Sequence, residues 1–344
     1  MKNFASLKSL LLDNATVKQT IFKNTFWLVL SEGIDMLMKL ILLIYVARIL
    51  GATEYGKFTF ALAFIGLFTI VVNLGLPRII VREFSREQKN EEDFSSLLLL
   101  RIISSVGMLA MVWAGSFLIT PDALIRKIIW ILTLYTIIDS TISFFNFFFH
   151  ARQRMEYEAW SSMTRVVILA GFVFFAIFYF PTVESLSYAY LAASLLALIL
   201  VLVFFHWKVY SLKLKLDISV WKKYAAMSWP LALAGVFAAL YGQIDSVMMG
   251  YLNQITETGW YNAAYRLAGA AVIPVGLIST SFYPTLSKTL KEGAEKFQGA
   301  WDTFTGILVV LSFPVVIAGI VLAPKIISLV YGEGYASSVL AFQL

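Results

Sequence analysis

The chain has 344 residues, 60% hydrophobic and 14% charged, with 27 basic against 21 acidic side chains and no cysteine. A soluble domain carries about 25% charged residues, so this balance and a mean hydropathy of +0.80 exclude an ordinary water-soluble globule. The missing cysteines exclude disulfides and thiolate metal sites.

The apolar stretches each run for about 20 residues, the length at which an α-helix crosses the hydrocarbon core. Barrel strands would be about 10 residues long and alternating. The predicted class is therefore an all-α integral membrane protein of the polytopic kind. Its N-terminal segment, 1–24, lacks the long apolar run and small-residue site of a cleaved signal peptide. It reads as a cytoplasmic or interfacial helix with Leu7, Leu10, Leu11 and Ile21 on its apolar face. Spans are expected at 25–47, 56–77, 97–119, 127–149, 163–180, 186–206, 225–250, 260–286 and 303–323. A tenth is expected to begin near Ser337, and the chain reaches Leu344 inside that apolar run.

Lysine and arginine gather in alternate gaps. The N-terminal tail carries Lys2, Lys8, Lys18 and Lys23; the next basic gap carries Arg78, Arg82, Arg86, Lys89 and Arg101. Arg152, Arg154 and Arg165 follow span 4, a lysine group from Lys208 to Lys223 follows span 6, and Lys288, Lys291 and Lys296 follow span 8. The opposite gaps hold only Arg48, Lys57, Arg126, Lys127 and Lys325. Basic excess marks the cytoplasmic side, so the N-terminus is expected inside. The basic pI is a topology signal, with no nucleic-acid partner implied.

A polar connector, 207–224, falls after six spans and divides an expected N-lobe (25–206) from a partial C-lobe (225–344). Across it runs a faint repeat: TEYGKFTFA from Thr53 aligns with TETGWYNAA from Thr256, matching Thr53/Thr256, Glu54/Glu257, Gly56/Gly259 and Ala61/Ala264. Six spans separate the copies, and six is even, so the repeats are parallel. A complete second half would need about 12 spans, so the C-terminal lobe is expected to be truncated.

Several spans carry charges. Glu32, Asp35 and Lys39 lie at i, i+3 and i+7 on one face of span 1, and Asp35 and Lys39 are spaced to pair. Asp139 lies in span 4, Asp245 in span 7 and Arg266 in span 8. Each costs roughly 2.5–3.5 kcal/mol at the bilayer centre unless it is paired or hydrated. Structural pairs are one reading, a water-filled transport path between lobes the other. Arg78, Arg82 and Arg86 recur every four residues as a basic stripe, suited either to anionic lipid or to a substrate phosphate at an entrance. No HExxH, GxSxG or Walker-type motif appears, so no enzyme activity and no cofactor are expected.

The stretch 24–61 (NTFWLVLSEGIDMLMKLILLIYVARILGATEYGKFTFA) followed by 73–87 (NLGLPRIIVREFSRE) resembles the opening of the polysaccharide-biosynthesis flippases. These belong to the multidrug/oligosaccharidyl-lipid/polysaccharide exporter superfamily. Pro230, Asp245, Gly250, Gly259, Tyr261 and Ala264 resemble that family's span-7/span-8 pattern, and Leu329–Gly332 its lead into span 10. The resemblance implies two six-helix lobes in alternating access, in the plasma or inner membrane. It also implies a polyprenyl-diphosphate-linked oligosaccharide as cargo, with H⁺ or Na⁺ for coupling and polysaccharide polymerase or assembly proteins as partners. Lys39 and Arg266 are then expected to contact phosphate; Glu32, Asp35, Asp139 and Asp245 are expected as sugar or coupling-ion sites. The alternatives are a multidrug cation antiporter of the same superfamily, whose cavity should be net acidic, and a membrane glycosyltransferase or polymerase.

Overall fold

The computed structural model describes residues 17–86, 91–208 and 216–344. Every assigned element among them is helical. We number the long helices α1 (17–50), α2 (52–73), α3 (Leu76–Arg86), α4 (Glu91–Ile119), α5 (Ala123–Ala151), α6 (Met155–Tyr179), α7 (Val183–Lys208), α8 (Ile218–Tyr251), α9 (Ile255–Glu292) and α10 (Ala294–Tyr331). A single 3₁₀ turn (Glu333–Tyr335) and the short α11 (Ser338–Gln343) follow, where the tenth span is expected to begin.

Helices α1 and α2 form one helical run broken at Gly51, whose φ of 78° and ψ of 169° open the chain into an elbow. A Cβ disfavours that conformation, which is why glycine stands there. Eight helical runs are long and apolar enough to cross a membrane, and the first is divided by this elbow. Each of the nine expected spans therefore falls on its own helix. The expected interfacial segment lies largely outside the described residues, as does much of the 207–224 connector.

Most helices are apolar all round, as a lipid environment requires, and large side chains such as Trp113, Phe178, Val309 and Val310 are exposed. The exception is α3, which turns Leu76, Ile79, Ile80 and Phe84 inward and leaves Arg78, Arg82 and Arg86 exposed. It is set off from α2 by two left-handed residues, Leu74 (φ 48°) and Gly75 (φ 68°). A Cβ on Gly75 would lie 2.6 Å from the Ser228 carbonyl oxygen of α8, so glycine also permits that close approach.

By their contacts the residues divide into two units, the first Met1–Leu43 with Lys57–Ile255, the second Ile44–Gly56 with Thr256–Leu344. The first unit is centred on phenylalanine. Phe84, Phe94, Phe144, Phe145, Phe148, Phe149 and Phe205 are all buried, with Phe94 stacked on Phe144 at 4.7 Å and within 5.9 Å of Phe205. Because lipid tails are as apolar as these rings, close packing rather than escape from water holds the helices together. Asp122 caps α5, accepting from the Leu124 and Ile125 amides, and Asp217 caps α8 in the same way.

The second unit clasps the elbow. Thr53 and Thr256 hydroxyls meet at 2.9 Å. The Tyr335 hydroxyl donates to the Ala47 carbonyl at 2.8 Å, and Arg48 donates to the Leu329 carbonyl at 3.2 Å. Gly259 packs so closely that a Cβ would sit 2.0 Å from the Ala52 oxygen. Thr53 and Thr256 are also aligned positions of the faint sequence repeat.

Candidate functional site

Four helices of the first unit, α1, α5, α6 and α7, surround a narrow polar cleft of about 10 Å³, room for about one water molecule. Its charged lining is Asp35 and Lys39 from α1, Asp139 from α5 and Arg165 from α6, with Tyr135 and Ser194 completing the polar wall. The Asp35–Lys39 pair expected from the i, i+4 spacing is formed, at 2.7 Å. Asp139 joins the same group through Arg165, whose Nη1 lies 2.5 Å from Asp139 and whose Nη2 lies 3.1 Å from Asp35. Arg165 thus bridges two helices through two carboxylates, a use that its planar, forked guanidinium fits better than a lysine would. Only 14% of its side chain is exposed, against 42% for Lys39. The pocket holds two cations and two carboxylates, so it is internally neutral.

Arg165 corrects the sequence reading, which assigned it to a cytoplasmic gap. The segment from Met155 carries Glu156, Glu158 and two serines, so its apolar character is diluted and span 5 is expected to start at 163. Helix α6 starts at Met155 instead, which places Arg165 inside the span.

Arg101 needs the same correction. It is 1% exposed inside α4, where it donates to Asn73 at 3.2 Å and to the Ser140 carbonyl at 2.6 Å, contacts the Ser140 hydroxyl, and lies over the Phe144 ring. Lys23, counted with the tail, is fully buried and paired with Glu156 at 3.0 Å. Charges at these mid-span positions now comprise Glu32, Asp35, Asp139 and Asp245 against Lys39, Arg101, Arg165 and Arg266.

The remaining expected residues lie elsewhere. Glu32 is exposed on α1 and does not line the pocket. Asp245 is exposed on α8. Arg266, on α9 in the second unit, is exposed beside the buried Tyr55 ring. Arg78, Arg82 and Arg86 form the expected stripe on the open face of α3, with Arg82 also held at 2.9 Å by Glu83. The second unit has a larger pocket, about 470 Å³, between α9, α10 and α11. Val272, Pro274, Val315 and Phe342 line it, and no charged side chain does. Of these two pockets only the small one is lined by charged side chains.

Comparison with known proteins agrees with this architecture. The profile of the family described as "Polysaccharide biosynthesis protein" matches residues 21–290. A putative O-antigen transporter of Escherichia coli (strain K12) is 18% identical over 277 residues, 80% of this chain and 67% of that protein. An inward-facing multidrug resistance transporter of the MATE family aligns with a TM-score of 0.68 at 13% identity, over 90% of this chain and 75% of that one. A transporter from Pyrococcus furiosus aligns with a TM-score of 0.63 at 15% identity, over 97% and 78%; at such identities these two structures speak for the fold. Helices, polar pocket and family match together make this a multi-pass membrane transporter of the multidrug/oligosaccharidyl-lipid/polysaccharide superfamily, and the chain belongs to the polysaccharide biosynthesis protein family.

Proposed function

We propose that this protein is a flippase that moves a lipid-diphosphate-linked oligosaccharide from the cytoplasmic to the outer leaflet of the cell membrane by alternating access. The observation that carries the reading is the neutral Asp35–Lys39–Arg165–Asp139 cluster. An anionic, hydroxyl-rich head needs cations for its phosphates and acceptors for its sugars, and this cluster offers both. A diphosphate entering it would compete with the carboxylates for Lys39 and Arg165. Arg266 adds a cation on the second unit, and the Arg78/Arg82/Arg86 stripe adds a capture surface at the cytoplasmic entrance. The charge census supports a cytoplasmic N-terminus, with lobes at 25–206 and 225–344 joined by 207–224.

Moving two negative charges outward, down an inside-negative potential, releases roughly 4.6 kcal/mol at 100 mV. Net export therefore needs no nucleotide, and H⁺ or Na⁺ antiport would add to the drive. Polymerase or assembly proteins would then take the product at the outer leaflet.

The multidrug antiporter reading draws support from the fold neighbours, but an organic cation favours a net acidic site and this pocket is balanced. The test is reconstitution in liposomes with a fluorescent lipid-diphosphate oligosaccharide. Protein-dependent movement of the label between leaflets, abolished in Lys39→Glu/Arg266→Glu while membrane insertion persists, is the expected result. Normal movement by that variant would remove the assignment of the two cations. Efflux of an organic cation with no movement of the labelled lipid would hand the reading to the antiporter.

A further inference from the structure

Between the pocket and the α5–α6 turn, the facing sides of α5 and α6 are joined by three polar rungs. Asp139 pairs with Arg165, Asn146 donates to the Ser162 hydroxyl at 3.4 Å, and His150 Nδ1 lies 3.6 Å from Glu158. On α5 the positions are 139, 146 and 150; on α6 they are 165, 162 and 158. Steps of seven and four on α5, and of three and four on α6, keep each set on one helical face, and the short turn between the antiparallel helices brings the two faces together. From Asp139 to His150 the column spans about 16 Å at 1.5 Å per residue.

The middle rung is buried and incompletely bonded. Asn146 is 7% exposed, and its Oδ1 has no hydrogen-bond partner among the described residues. The neighbouring Ser161 hydroxyl and Glu158 Oε2 are likewise buried without a hydrogen bond. Buried polar atoms in native proteins are bonded to protein or to ordered water, and leaving them bare inside a membrane is costly. Two of them, Asn146 Oδ1 and Ser161 Oγ, belong to residues that lie between the Asp139–Arg165 and His150–Glu158 rungs along α5 and α6.

We propose that the α5–α6 seam is a hydrated path carrying protons between the α5–α6 turn and the Asp35–Asp139–Arg165 cluster. The inference rests on reading that cluster as part of the transport path, and it names the proton as the ion and His150–Glu158 as its mouth. Around the mouth, Glu32 of α1 stands within electrostatic reach of both His150 and Glu158. Lys23 and Arg154 are occupied by Glu156. At the inner end Lys39 holds Asp35, and Tyr190 of α7 packs against Tyr135 at 5.1 Å. When an anionic head with two charges draws Lys39 and Arg165 away from the carboxylates, two protons arriving along the seam, one for Asp35 and one for Asp139, restore neutrality.

The chain contains no cysteine, so Asn146→Cys and Ser162→Cys each create its single thiol. A small charged methanethiosulfonate is added to the protein in liposomes, with Phe145→Cys, on the neighbouring packed face, as the control. Both seam thiols should react at least about tenfold faster than the control, since a dry apolar setting suppresses the thiolate. Equal rates would overturn the hydrated seam.

The second arm follows carboxyl protonation by infrared spectroscopy after inorganic diphosphate is mixed with the protein in liposomes to draw Lys39 and Arg165 away from the carboxylates. The band is assigned by its loss in Asp35→Asn and Asp139→Asn. Asn146→Leu, which removes the hydrogen-bonding group from the column, should slow the band about tenfold with its final amplitude intact. Ser162→Val serves if the leucine variant does not fold. An unchanged rate, or no carboxyl band at all, would overturn the proton path. Neither arm uses an oligosaccharide, so a failed seam and a wrong cargo give different results.

Discussion

The sharpest structural prediction concerns Arg165→Met. The side chain is 14% exposed and neutralises Asp139 at 2.5 Å and Asp35 at 3.1 Å. Truncating one partner of a buried ion pair costs about 3–5 kcal/mol, because the other charge is left uncompensated. Here Asp35 keeps Lys39 at 2.7 Å, so the damage falls on Asp139, whose side chain is 26% exposed. Partial hydration discounts the figure, and we expect a loss of about 2–3 kcal/mol. Unfolding in mixed micelles by graded addition of sodium dodecyl sulfate measures it. Adding Asp139→Asn removes the stranded charge and should recover about half of the loss. A single variant within about 0.5 kcal/mol of the parent, or no recovery in the double variant, would refute the bridging role of Arg165.

Arg101→Lys keeps the charge but loses the fork that reaches both Asn73 and Ser140; it should cost about 1–2 kcal/mol in the same unfolding assay. Gly259→Ala places a Cβ 2.0 Å from the Ala52 oxygen, and overpacking of that kind costs about 1–3 kcal/mol. Gly269→Ala, with open space at its Cβ, is the control and should be neutral. Thr256→Val removes the hydroxyl contact with Thr53 and should cost about 0.6 kcal/mol, the average for interhelical hydrogen bonds in membranes. Replacing Arg78, Arg82 and Arg86 together by glutamine should weaken binding to phosphatidylglycerol nanodiscs by about 1 kcal/mol per residue, with reduced salt dependence.

Sequence alone determined what depends on local composition and helical spacing. Length and apolarity fixed the nine spans, since a helix must bring its own hydrogen bonds and its own apolar surface into lipid. The four-residue period of Arg78, Arg82 and Arg86 placed them together on the open face of α3, and the spacing of Asp35 and Lys39 predicted their contact.

What decided the site was tertiary. Arg101 and Arg165 sit near the ends of apolar runs, where a charge reads equally well as a loop anchor. Only the position of neighbouring helices shows that Ser140 and Asn73 receive the first, and that Asp35 and Asp139 receive the second. Asp35 and Asp139 are more than 100 residues apart in the chain, and no spacing rule reaches across that distance. The three rungs of the α5–α6 seam have the same origin: helical period places each set of residues on a face, but the register of two packed helices decides which faces meet.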